Sequence, residues 1–315
     1  MVISRRIRQW RPRGLVITET ELWPNMIRLM HQSGGSVVIV NGRISERSFG
    51  RYQWVSFLLR PVLKMIDGFG MSTEIDAYRI VELGASPQRV RVLGHSKFDH
   101  DWDEAVQHQD VVHTLRKLTA GRLVITAGST RESEEAILLE SMALVWKKFP
   151  KALLILAPRH MERVAEVEAL LNQNGIRWVK RSQWGTSLDR VQVVLLDTLG
   201  ELAACYSVAK MAFVGGTLAP IGGHNLLEPA AWGVPMVFGP HVDHVQEVAD
   251  ALVSRKGGAM VSGSTDLAER WITWLEAPRV REAWGQAARE VLRAQQGSTE
   301  RTLDFLSKTL HLEVA

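Results

Sequence analysis

The residues best placed to bind or transfer a charged group are concentrated in FVGGTLAPIGGHNLLEPAAWGVPMVFGPH, residues 213–241. Two glycine pairs, Gly215-Gly216 and Gly222-Gly223, precede His224-Asn225 and Glu228-Pro229, between the apolar runs 211–214 and 234–238. Glycines between a strand and a helix let the backbone approach a bound group, and leave helix N-terminal amides to face an anion. Asn225 is a good N-cap, with Glu228 at the capping-box spacing. A well-capped helix in an α/β protein accounts for the same pattern with no ligand. The density of glycine and polar groups favours a nucleotide-binding loop, placed where open α/β sheets bind ligands, outside the carboxyl ends of strands. A second concentration is Glu19 and Glu21, just after the apolar run 14–18. These fit catalytic carboxylates, and equally an acidic group beside a helix opened by Pro24.

Other chemistries find little support. No G-x-G-x-x-G follows a strand, and the P-loop pattern and the G-x-S-x-G elbow are absent. No His/Cys/Asp cluster has metal-ligand spacing, so neither a metal nor a cofactor is expected.

The elements that must position these residues alternate regularly. Strands are expected at 14–18, 37–40, 66–71 and 90–93, then at 123–126, 153–156, 177–179, 193–196, 211–214, 234–238 and 259–261. Helices are expected at 25–32, 49–65, 73–83, 132–148, 162–174, 199–208 and 242–253, with three closing helices over 265–310. The first residues, 1–13, read as an amphipathic helix with Ile3, Ile7 and Trp10 on its packed face and arginines elsewhere. Residues 99–110 (DHDWDEAVQHQD) are polar, without apolar alternation, and read as a linker. The fold class is therefore α/β, with two Rossmann-like parallel-sheet domains facing across a cleft. Residues 1–98 form the first, 111–290 the second, and 291–315 a closing C-terminal helix.

At 315 residues the chain is long enough for two cores, and 46% hydrophobic with 23% charged residues is a globular composition. One cysteine, Cys205, excludes a disulfide framework. No apolar run reaches the roughly 18 residues that span a bilayer. A net charge of +4 favours an anionic ligand or an acidic membrane surface, while no nucleic-acid motif accompanies it.

Six segments taken in series are specific: TETELWPN (18–25), NGRIS (41–45), GHSKFD (94–99), APRH (157–160), DTLGEL (197–202) and FVGGTLAPIGGHNLLEP (213–229). Together they resemble the 3-deoxy-D-manno-octulosonic acid (Kdo) transferases over essentially the whole chain. The resemblance implies a GT-B glycosyltransferase that moves Kdo from CMP-Kdo to a lipid A precursor, at the cytoplasmic face of the bacterial inner membrane. It implies an inverting single displacement, with CMP-Kdo, the lipid A precursor and the membrane surface as partners and no nucleic acid. Pro158, Arg159, Leu199, Gly200, Glu201, Asn225, Leu226, Leu227 and Glu228 match segments that contact CMP-Kdo. Arg159 offers a fork suited to phosphate or carboxylate. Glu19 and Lys97 match transition-state stabilisers. The family's general-base glutamate, in an HxxSxGE-like motif upstream of TETELWPN, has no match here. The resemblance thus reads the chain as N-terminally truncated, its first domain incomplete and its membrane anchor missing, with little or no transferase activity expected alone. Another sugar-nucleotide enzyme of the same architecture, such as an epimerase, and a non-catalytic membrane-surface remnant are the competing readings.

Overall fold

The computed structural model of the chain describes residues 2–96, 99, 109–185 and 188–312. The chain divides into two compact units, Met1–His100 with Gln295–Ala315, and Asp101–Ala294.

The first unit begins with α1 (Val2–Trp10) and carries a parallel four-stranded sheet in the order β1 (Gly14–Thr18), β2 (Ser36–Gly42), β3 (Gly68–Met71), β4 (Val90–Val92). Successive strand residues point to opposite faces, so a sheet covered on both sides needs continuous apolar runs. Val37 and Ile39 face a core built with α2 (Pro24–Gln32), α4 (Ser56–Leu63) and α5 (Glu74–Glu82) through Ile27, Met30, Val62, Leu63 and Ile80. Burying each such side chain stabilises the fold by about 1.5–3 kcal/mol. Helix α3 (Glu46–Trp54) is parted from α4 at Val55, where the sequence pattern predicts one helix over 49–65. Trp10, expected on the packed face of α1, is instead 69% exposed, with Arg6 over its ring.

The second unit opens with α6 (Gln109–Leu118), whose first two residues the composition assigns to the linker. Its strands are β5 (Val124–Thr130), β6 (Leu153–Pro158), β7 (Trp178–Lys180), β8 (Val193–Leu195), β9 (Met211–Val214), β10 (Met236–Phe238) and β11 (Gly258–Met260). They form one parallel sheet in the order β11-β10-β9-β5-β6-β8-β7. Leu154 and Leu156 of β6 enter one core with α7 (Glu134–Lys148), while Leu153 and Ile155 enter another with α6. Helices α8 (Val164–Gln173), α9 (Leu202–Tyr206), α10 (Leu227–Ala231), α11 (Gln246–Ser254), α12 (Ser264–Glu276) and α13 (Pro278–Gln295) complete this unit. The chain leaves β5 in one direction towards β6 and returns on its other side at β9. The strand order therefore reverses between β5 and β9, and loops at such a switch point diverge to leave a crevice.

The last helix, α14 (Ser298–Thr309), returns to the first unit and lies against β2 and β3. Gly68 makes this approach possible, since a Cβ there would stand 2.7 Å from the Phe305 ring.

Candidate functional site

At the switch point, Gly215 N–H donates to Gly128 C=O (2.8 Å) and Arg159 N–H to Thr130 C=O (3.0 Å), joining the carboxyl ends of β5, β6 and β9. Arg131 follows β5. Its Nε donates to His224 Nε2 at 3.1 Å, and its Nη1 meets His160 Nε2. A guanidinium only donates, so the imidazole nitrogen facing it must carry a lone pair and His224 is neutral. Burial first, then the positive fields of Arg131, Arg159, His160 and His244, push the His224 pKa from 6.5 to about 4. These five side chains make an electropositive site whose fixed charges come from the two arginines. Such a site can receive a phosphate or carboxylate.

The glycine-rich turn behaves differently from the sequence expectation. Its amides are occupied by the protein's own carboxylate. Fully buried Glu134 accepts from Gly216 N (2.8 Å), Thr217 N (2.9 Å), Leu218 N (2.9 Å) and Ala219 N (3.2 Å). It also accepts from Arg131 N at 2.9 Å. Backbone N–H groups aimed at one point form an anion nest, and here the anion is covalently attached. Gly216 has φ +70°, and a Cβ on it would lie 2.9 Å from the His224 ring, so the residue is glycine because the imidazole passes over it. Beside it, buried Glu135 accepts from Thr130 Oγ1 (2.9 Å) and Arg163 Nη1 (2.6 Å).

Two helix entries border this cluster in sequence. Asn225 does not close a capping box: its Oδ1 accepts from Leu227 N (3.1 Å) and its Nδ2 reaches Glu228 Oε1 (3.5 Å), and α10 starts only at Leu227. The charge of Glu228, after burial, adds to the upward push on the phenol of Tyr206. Ahead of α9, Leu199 is 82% exposed and Gly200 has φ +80°. Glu201 accepts from Arg181 Nη2 at 2.8 Å and from Thr198 Oγ1, and the Arg181 guanidinium lies 3.9 Å over Trp184.

Comparison with known proteins decides the family. Residues 1–100 match the family model for 3-deoxy-D-manno-octulosonic-acid transferase (kdotransferase). The 3-deoxy-D-manno-octulosonic acid transferase of Haemophilus influenzae is 34% identical over 314 residues, covering 99% of this chain and 73% of that protein. The chain belongs to the Kdo transferase family. A Bordetella pertussis Kdo transferase is 35% identical over 305 residues, of which this chain spans 70%. A bifunctional glycosyltransferase/methyltransferase of Fusobacterium nucleatum is 39% identical over 249 residues, and the chain spans 38% of its length. Among solved structures, the C-terminal CMP-Kdo binding domain of WaaA from Acinetobacter baumannii matches with a TM-score of 0.54 and 30% identity, covering 63% of this chain and all of that one. UDP-GlcNAc 2-epimerase from Neisseria meningitidis, at 12% identity and a TM-score of 0.66 over 97% of this chain and 79% of that one, shares the fold alone. These neighbours place the Kdo transferase chain in the GT-B fold class, with its parallel α/β sheets.

Within this Kdo transferase chain, Arg159 is exposed at the end of β6 and acts electrostatically on the His224 cluster, with Pro158 buried beneath it. Leu226 and Leu227 are buried to 1% and 0%, so they can offer a ligand only backbone. Glu19 is exposed, at the carboxyl end of β1 in the first unit, with φ +61°. A left-handed glutamate is a strained conformer, and such strain concentrates at functional sites. Lys97 lies outside the described residues, as do residues 100–108 of the expected linker. Arg131, Glu134 and the acceptor role of His224 were not foreseen. Their signal was present as STRESEE (129–135) directly after a strand. Acidic residues in a first helical turn ordinarily complement the dipole, and that reading hid them. Among the described residues no group of three or more His, Cys, Asp or Glu could hold a metal ion.

Proposed function

We propose that this chain carries the donor-binding part of a transferase that moves Kdo from CMP-Kdo to a lipid A precursor. The observation that carries the reading is the convergence of Arg131, Arg159, His160 and His224 on the switch point of the second unit. CMP-Kdo brings a phosphodiester and a carboxylate, two anions suited to two fixed arginines. The 30% identity to a CMP-Kdo binding domain of known structure supports the same assignment. Pro158, Leu199, Gly200, Glu201, Asn225, Leu226, Leu227 and Glu228 then contact the nucleotide and sugar, largely through backbone at the buried positions. Cations at the departing phosphate stabilise the leaving CMP, and Glu19 and Lys97 serve the transition state. The acceptor hydroxyl needs a general base, and this sequence holds no match to the family's HxxSxGE-like motif.

A lipid acceptor at the cytoplasmic face of the inner membrane is supported by the surface of α3 and α4. Trp54 (86%), Phe57 (70%) and Leu58 (61%) are exposed there, among the exposed Arg47, Arg51, Arg60 and Lys64. Aromatic residues beside basic ones suit an anionic membrane interface. Among the described residues no helix is long and apolar enough to cross a membrane.

Isothermal titration with CMP and with UDP tests the donor assignment. CMP is expected to bind and UDP to bind more weakly. Tighter binding of UDP would move the chain to a different sugar-nucleotide chemistry, and no binding of either, with the chain folded, would remove the donor site.

A further inference from the structure

The buried Glu134 carboxylate makes five backbone hydrogen bonds, an unusual concentration of donors on one side chain. Its partners fall into two segments far apart in sequence, the turn after β5 through Arg131 N and the turn after β9 through the amides of residues 216–219. Those segments carry the two groups that meet at 3.1 Å in the anion site, the Arg131 guanidinium and the His224 imidazole. Without the carboxylate, five amide dipoles would converge on one buried point without a partner, which costs far more than an ordinary lost hydrogen bond.

We infer that Glu134 is a positioning residue for the anion site, an internal carboxylate that locks the two turns in the register that brings Arg131 and His224 together. It has a second consequence. Five inward amides, four of them from the glycine-rich turn, would themselves capture a phosphate or carboxylate. Glu134 satisfies that capacity in advance, so the donor's negative charge is met by arginine and histidine side chains and not by the turn. The inference rests on the donor-binding reading for its consequence in affinity, and on the hydrogen-bond geometry alone for the lock itself.

The side-chain atoms that Glu134→Ala removes, a methylene and a carboxylate, are closely those of an acetate ion. The full chain carrying Glu134→Ala is therefore expected to bind CMP about tenfold to a hundredfold more weakly than the parent, the loss typical of a misplaced positioning group. Added acetate is expected to bring that affinity back to within a few-fold and to raise the melting midpoint of the variant. Sodium chloride at equal ionic strength should do neither, and the parent should respond to neither salt. Glu134→Gln fills the same space without the charge, so it should bind weakly and stay beyond rescue. A folded Glu134→Ala or Glu134→Gln with parental CMP affinity would overturn the inference. So would a Glu134→Ala defect that acetate and chloride change alike. Should Glu134→Ala fold only in acetate, the lock is supported. Should it fold in neither salt, the CMP affinity of Glu134→Gln decides. If the folded parent itself fails to bind CMP, the donor reading falls, and the acetate dependence of the Glu134→Ala midpoint still decides the lock.

Discussion

The two parallel sheets of this protein solve one problem in two ways. Each ends in loops at the carboxyl edge of its strands, and each must hold those loops in place. In the first unit the stitching runs through hydroxyl and amide groups and a buried carboxylate, Asp76. Arg43 N–H donates to Thr20 Oγ1 (2.8 Å), Ser72 Oγ to Asn41 Oδ1 (3.2 Å), and Ile44 N–H to Asp76 Oδ1 (2.6 Å), with Arg79 Nη1 on Ile44 C=O (2.6 Å). In the second unit two adjacent buried carboxylates, Glu134 and Glu135, gather backbone amides, a hydroxyl and a guanidinium. The difference follows from what each edge displays. The first exposes the carboxylate of Glu19 on a left-handed backbone, whereas the second displays arginine and histidine. A cationic edge repels itself and gains from buried negative charge behind it, while the edge that exposes Glu19 gains less from added acid and, among the described residues, buries one carboxylate, Asp76.

If the second edge is the anion receptor, its arginines should dominate nucleotide affinity. Arg131→Ala and Arg159→Ala are each expected to weaken CMP binding by about tenfold to a hundredfold, the value of a charge-assisted hydrogen bond at about 1.5–3 kcal/mol. Lysine at either position should recover only part of the loss, because it cannot present the planar fork. Titration calorimetry of the four variants checks this, and parental affinity in both alanine variants would erase the distinction between the two edges. The matching probe of the first unit is Asp76→Asn. Asp76 accepts from Ile44 N (2.6 Å) and Thr73 Oγ1 (2.7 Å) while 7% exposed. Losing the charge should destabilise that unit by about 1.5–3 kcal/mol. Hydrogen exchange should quicken in β2 and β3 while CMP affinity stays unchanged.

How much of this contrast was readable in the sequence depends on the range of the interactions. Every strand was legible; the central ones, buried on both faces, are continuously apolar, as in LLILAP and VVIV, while β1 and β7 are only partly buried. The family was legible because its six segments lie at strand ends, where side chains are constrained by chemistry. The occupation of the glycine turn was not legible, since Glu134 and Gly216 are 82 positions apart and nothing local links them. The expectation that this loop's amides face a bound anion fails at residues 216–219 for that reason. Helix α6 was hidden by the polar residues that open it, and the break at Val55 leaves no local signature such as glycine or proline at that point.

The imidazole at the centre of the second edge provides a smaller, pH-dependent test. His224 is held at about 4 in the folded chain against an ordinary 6.5. The unfolded chain therefore binds the extra proton between those values, so this group's stabilising contribution is full above 6.5 and declines as pH falls towards 4. His224→Gln should flatten that part of the stability profile. CMP should do the opposite to the parent. Its phosphate favours the protonated imidazole, so an NMR titration should show the His224 pKa rising on binding. An unmoved resonance would place the nucleotide away from this cluster.

The smallest expected effect lies in the first unit, where the stitching crosses the length of the chain. Asp99 Oδ2 accepts from Ser298 Oγ (2.9 Å) and from Thr299 N, capping α14 from a residue 199 positions away. Arg301 Nε, on the same helix, donates to Leu93 C=O at 2.9 Å, so Leu93 and Asp99 are both tied to α14. Burial raises the Asp99 pKa, but the hydrogen bonds from Thr299 and Ser298 outweigh it, leaving the carboxyl below its ordinary 3.8. Its contribution is therefore present above 3.8 and lost as pH falls through the lower folded value. Asp99→Asn should cost about 1 kcal/mol near neutrality, the usual size of a cap, and the variant and parent should converge in strong acid. Hydrogen exchange in α14 that stays at the parental rate in the variant would mean that the cap contributes nothing to that helix.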